Sequence, residues 1–123
     1  MSNKPNDEKC MVKNEFYGFL NQKTNNNHIF IGSKVSDLLR THKSNAPNKI
    51  KNLKFPGTNY KSVLITGQYM GNTSYVHNVS YRIFENRVIF SNDFVETNSI
   101  GASVMNHPFW AAQVSKRCKI LKN

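Results

Sequence analysis

The chain has 123 residues with a formal net charge of +10 and a pI near 9.8, so it is at most one small domain, and its partner is expected to be a polyanion. Hydrophobic residues make up 38% of the chain and mean hydropathy is −0.57, which bounds the core to a modest size and leaves part of the chain to order against a partner. No apolar run approaches the roughly 20 residues that span a bilayer, so no membrane partner is expected.

The beginning of the chain is polar. Residues 1–13 mix both charges around Pro5 without periodicity and read as a flexible arm. Neither a signal peptide nor an organellar presequence is visible, because the apolar stretch and the arginines are missing and Asp7, Glu8 and Glu15 are present. Cys10 and Cys118 form no C-x-x-C motif, so two reduced, inert thiols of an intracellular protein are expected, with a bridge between the two ends as the alternative. Phe16, Tyr17, Phe19 and Leu20 make an apolar clump read as one or two helical turns, broken by Asn25-Asn26-Asn27. The eighteen asparagines reflect base composition more than chemistry, although Asn favours turns. His28 to Ile31 reads as a short strand or docking segment ended by Gly32.

Ser33 stands as an N-cap before Val35, Leu38, Leu39 and His42, which fall on one face of a short helix that Asn45 and Pro47 stop. Arg40 and Lys43 lie near its carboxyl end, where cations suit the dipole. From Leu38 to Lys61 there are Arg40, Lys43, Lys49, Lys51, Lys54 and Lys61 without one acid. Residues 44–61, with Pro47, Pro56 and Gly57, read as a basic connector that contacts nucleic acid, against a plain solvated linker as the bland alternative.

Alternation begins at Ser62. Val63, Ile65 and Tyr69 oppose Leu64, Thr66, Gln68 and Met70, and Gly71-Asn72 supplies turn chemistry. Ser74 to Phe84 sets Tyr75, His77, Val79, Tyr81 and Ile83 on one face, Glu85-Asn86 turns, and Arg87 to Phe90 makes a third strand. Arg82 and Arg87 flank that turn and reach for phosphates, or pair with Glu85 or Asp93 instead. Asn92 to Ser103 reads as a polar loop. Pro108 then suits the first turn of a helix carrying Phe109, Trp110, Ala112 and Val114, with Lys116, Arg117 and Lys119 at its exit. The expected fold is α+β, a small three-stranded antiparallel meander with one or two short helices and extended basic arms. Residues 1–61 would form an N-terminal extension with a short helix and basic connector, and 62–123 the sheet plus a basic C-terminal helix or tail.

Catalytic patterns are weak. Seven carboxylates form no paired motif, the six glycines never cluster around a phosphate, and His28, His42, His77 and His107 show no metal-ligand spacing even with the cysteines. No enzyme activity, cofactor, metal or small-molecule substrate is expected; a metal-free nuclease using His77 or His107 is the enzymatic alternative.

His107-Pro108-Phe109-Trp110, followed by Lys116-Arg117, resembles the bacterial-type large-subunit ribosomal proteins of the thirty-first family and their divergent mitochondrial relatives over residues 62–119. That family pairs a small antiparallel sheet with a His-Pro-Phe-aromatic motif and a basic stretch. The chain departs from it in lacking zinc-binding Cys pairs and in carrying Ala111-Ala112 where the family has Thr-Gly. It also has a longer segment from Asn92 to Met105 and no Gly/Arg/Phe-rich tail before Asn123. The resemblance implies a zinc-free structural component of the large ribosomal subunit, of mitochondrial setting, binding rRNA beside neighbouring ribosomal proteins near the central protuberance. The residues expected to hold RNA are Arg40, Lys43, Lys49, Lys51, Lys54, Lys61, Arg82, Arg87, His107, Trp110, Lys116, Arg117 and Lys119. The alternative is a phage- or virus-type protein binding single-stranded nucleic acid, with Tyr69, Tyr75 and Tyr81 as a stacking platform.

Overall fold

The computed structural model describes residues 10–21, 23–41, 59–69, 75–96 and 107–123. Their elements in chain order are β1 (Val12–Leu20), β2 (Ile29–Gly32), α1 (Val35–Thr41), β3 (Tyr60–Thr66), β4 (Tyr75–Phe84), β5 (Arg87–Glu96), β6 (His107–Ser115) and β7 (Lys119–Lys122). They build a four-stranded sheet in the order β1-β6-β3-β2 and a three-stranded sheet in the order β4-β5-β7. The protein is mostly β, which overturns the expected α+β meander with helices. Residues 42–58 of the connector, with Lys43, Lys49, Lys51 and Lys54, lie outside the described residues, as does the Gly71-Asn72 turn.

The meander fails at its first link. β3 pairs with β2 and β6, not with β4, because both of its faces are apolar enough to bury and only a central strand is covered twice. Val63 and Ile65 pack toward the three-stranded sheet, while Leu64 packs toward α1. β6 is likewise buried along its whole length, and this overturns the helix expected at Pro108. Phe109 and Ala111 face α1, whereas Trp110, Ala112 and Val114 face the other sheet. A proline is tolerated near the start of the strand, where its missing N–H removes little from the ladder. Its carbonyl accepts a 2.8 Å bond from the Gly67 N–H.

β1 replaces the helical turns expected around Phe16. A bulge between Lys13 and Phe16, with Asn14 at φ 58°, inserts one residue and reverses which face the later side chains occupy. Val12 therefore packs with Trp110's cluster, and Phe16 with Phe109's. Gly18 lies across from Phe109, and a Cβ there would stand 2.7 Å from the ring.

The molecule thus has three layers. α1 buries Val35 and Leu39 against one face of the larger sheet, and the smaller sheet covers the other face with Val79, Val88, Phe90 and Ile120. Helix and sheet periodicities around α1 and the β4–β5 hairpin agree with the residues: Leu39 is fully buried, and Glu85-Asn86 forms the hairpin turn with Glu85 at φ 56°. β5 runs on through Glu96, so residues 92–96 are strand where a loop was expected.

Side chains close both seams between the sheets. On one, the Tyr17 hydroxyl of β1 accepts the Val79 N–H at 2.9 Å and reaches the Val79 carbonyl at 3.4 Å, occupying the middle of edge strand β4. On the other, the Lys122 ammonium donates to the Asn27 carbonyl. The cysteines are not reduced thiols as expected: Cys10 and Cys118 form a buried disulfide with Cα atoms 5.3 Å apart, tying the start of β1 to the corner before β7.

Candidate nucleic-acid interface

Parallel pairing of β7 with β5 decides where the cations go. The register sets Arg87 beside Lys119, and the Lys119 N–H donates to the Asn86 carbonyl at 2.7 Å. The hairpin turn at Glu85-Asn86 and the corner at Lys116-Arg117 are thereby brought to one end of the molecule. Val88, Phe90 and Ile120 point into the core, so the alternating Arg87, Ile89, Lys119 and Leu121 stand on the outer face of the smaller sheet. Val79 fixes the same parity on β4, which puts Arg82 and Phe84 on that outer face too.

Arg82, Arg87 and Lys119 are exposed, and among the described residues none of them is in an ion pair. The pairings with Glu85 or Asp93 considered from the sequence do not form. Two cations side by side in a ladder repel each other, so this arrangement costs stability until an anion lies across them. Lys116 and Arg117 are exposed in the adjacent turn. Lys61 is turned inward: its ammonium donates to the Cys118 carbonyl at 2.6 Å and the Lys116 carbonyl at 3.3 Å, and burial pushes its pKa down. It positions the corner that displays its neighbours. The Lys116 N–H donates to the Asn59 carbonyl at 2.7 Å, so the basic connector re-enters the sheet at this same end. Lys13 adds a cation over the Tyr60 ring, 5.6 Å from its centroid.

Other expected contacts lie elsewhere. Arg40 sits on α1, across the larger sheet, and pairs with Asp37 at 2.8 Å. Trp110 is fully buried, 5.2 Å from the Phe90 ring, and His107 is 1% exposed, so neither meets a ligand from solvent. The His107 Nε2–H donates to the Gly67 carbonyl at 3.0 Å and Nδ1 accepts the Thr24 N–H at 3.1 Å, which makes it a structural clamp. Tyr81 leans on Phe90 and Trp110, and Tyr69 lies against His107, so the expected tyrosine platform is not assembled.

His77 faces inward from β4 beside Tyr17 and Phe94. The amide of Asn92 is oriented by donating to the Thr66 carbonyl at 3.0 Å, which leaves its oxygen to accept from His77 Nε2–H. Among the described residues Nδ1 then has no hydrogen-bond partner, and burial pushes the imidazole's pKa below its ordinary value, partly offset by Asn92 and reinforced by His107. Among the described residues no group of His, Cys, Asp or Glu is placed to hold a metal.

No family model, curated protein or solved structure matches this chain.

The residue missed from sequence is Phe84. Its signal was present: with His77, Val79 and Tyr81 on the inward face of one strand, Arg82 and Phe84 must share the outward one.

Proposed function

We propose that the protein is a non-catalytic nucleic-acid-binding protein that holds RNA on the basic end of its smaller sheet. The observation that carries this is Arg87 beside Lys119 in register, with Arg82 on the same face and Lys116 and Arg117 in the adjoining turn. Arg82, Arg87 and Lys119, distant in sequence, are gathered on one face with no ion-pair partner among the described residues, which is the electrostatic footprint of a phosphate backbone. The inward turn of His77 and His107 supports the absence of a catalytic role, since neither imidazole is placed to meet a substrate.

Binding of a labelled RNA to the intact chain, followed over about 50 to 200 mM salt, tests the reading. Replacing Arg82, Arg87 and Lys119 together by Gln should weaken binding and reduce the salt slope by about 2, since each neutralised phosphate of a single strand contributes roughly 0.7. Unchanged affinity and slope would place the RNA elsewhere or nowhere. The narrower setting, a component of the large ribosomal subunit, rests on the likeness carried by His107 to Trp110. Tagged chain that sediments free of ribosomal subunits at physiological salt would rule that setting out while leaving RNA binding standing.

A further inference from the structure

We infer that the outer face of the β4-β5-β7 sheet takes single-stranded rather than duplex nucleic acid, with Phe84 as the ring on which a base stacks. The inference rests on the nucleic-acid reading above and narrows it. Phe84 is 59% exposed at the end of β4, a large apolar side chain without a core to join. The register places it directly beside Arg87, which is in turn beside Lys119. One pleat further along, Arg82 stands beside Ile89 and Ile89 beside Leu121. Neighbouring positions lie about 4.8 Å apart across strands and about 6.7 Å apart along one strand. Phe84 therefore has a guanidinium within side-chain reach in both directions, and half-buried Ile89 and Leu121 fill the space between the cations.

This mixture discriminates between forms of the same polymer. A duplex hides its base faces and offers phosphates, so it would draw on Arg82, Arg87 and Lys119 and leave Phe84 in water. A single strand offers phosphates and unstacked bases together, and a flat sheet face carrying one ring among cations satisfies both. An anionic lipid surface would also use apolar and cationic groups, but it has no preference for an aromatic ring over an aliphatic side chain of similar bulk at position 84.

The experiment uses the full-length chain with three labelled or labelled-equivalent probes: a short single-stranded RNA, the same sequence as a duplex, and vesicles of zwitterionic lipid with anionic phosphatidylserine. Wild type should bind the single strand more tightly than the duplex. Phe84→Ala should lose about 5- to 150-fold in single-strand affinity, the range for one base–aromatic stack, with duplex binding unchanged. Phe84→Tyr should restore it and Phe84→Leu should not. Because the side chain is exposed, near-ultraviolet circular dichroism should report the same fold in all three. Equal affinity for duplex and single strand, or a Phe84→Ala variant that binds the single strand normally while the Gln triple variant does not, overturns stacking and keeps the basic interface. Binding to vesicles alone overturns both.

Discussion

Removing the Cys10–Cys118 bridge by the double change Cys10→Ala and Cys118→Ala is the most exacting test of the fold. The bridge spans 108 residues, so it confines almost the whole chain in the unfolded state. Loop-closure entropy for a span of that length comes to about 4.8 kcal/mol at 25 °C, at the upper end of the range for native disulfides. Small domains are stable by only about 5–15 kcal/mol, so the loss takes a third or more of the margin. Equilibrium urea unfolding is the assay, and Trp110 is the reporter, since its indole is fully buried against Phe90 in the native state. With a urea slope of about 1–3 kcal/mol/M, the midpoint should fall by about 1.6 to 4.8 M while the native fluorescence stays the same. The stabilisation acts through the unfolded chain, so the bridge is a restraint rather than a contact. A loss below about 1 kcal/mol, or two thiols titrating in the unreduced, denatured wild type, would refute the reasoning.

The remaining predictions concern buried His77 and half-buried Gly18. The neutral His77 is favoured in the folded protein, so the unfolded chain takes up the proton first; stability should be full above the ordinary imidazole pKa of about 6.5 and decline as pH falls below it. His77→Gln, which keeps a donor toward Asn92, should flatten that decline in urea titrations between pH 7 and 5, and an identical slope in both proteins would remove His77 as its source. Gly18→Ala should destabilise by about 1–3 kcal/mol, because its Cβ would stand 2.7 Å from a Phe109 ring already wedged edge-on against Phe16. Thermal unfolding at the wild-type temperature would show that the ring has room to yield.

What was legible in the sequence was local. Val35, Leu38 and Leu39 announced α1 by their spacing, and the inward residues of β4 announced a hairpin around Glu85-Asn86. β6 was unreadable for a physical reason. A strand covered on both faces loses the alternation that marks strands, and Pro108 beside two aromatics and two alanines then imitates a helix start. β1 was obscured by its bulge, which breaks the alternation at Asn14. The interface was half legible: Arg82, Arg87, Lys116, Arg117 and Lys119 were visible as cations. That Arg87 and Lys119 are neighbours depends on a parallel register between strands separated by β6, and no local pattern encodes it. His107 and Trp110 misled because an aromatic run beside cations describes a core strand leading into a basic turn as well as it describes a stacking site.

The position of β6 also has a consequence in time. It lies between β1 and β3 in the larger sheet, yet it is the sixth of the seven described strands to be synthesised. Until residues 107–115 have emerged, β1 and β3 have no shared neighbour, and the edge of β3 that pairs with β6 stands open. The basic end waits longer still, since Lys119 reaches Arg87 only after β6 has crossed behind it. A chain dominated by such distant pairings folds late and slowly, and it is exposed to misassembly on the ribosome that makes it. The juxtaposition of Arg87 with Lys119 is therefore acquired almost all at once, at the end of synthesis.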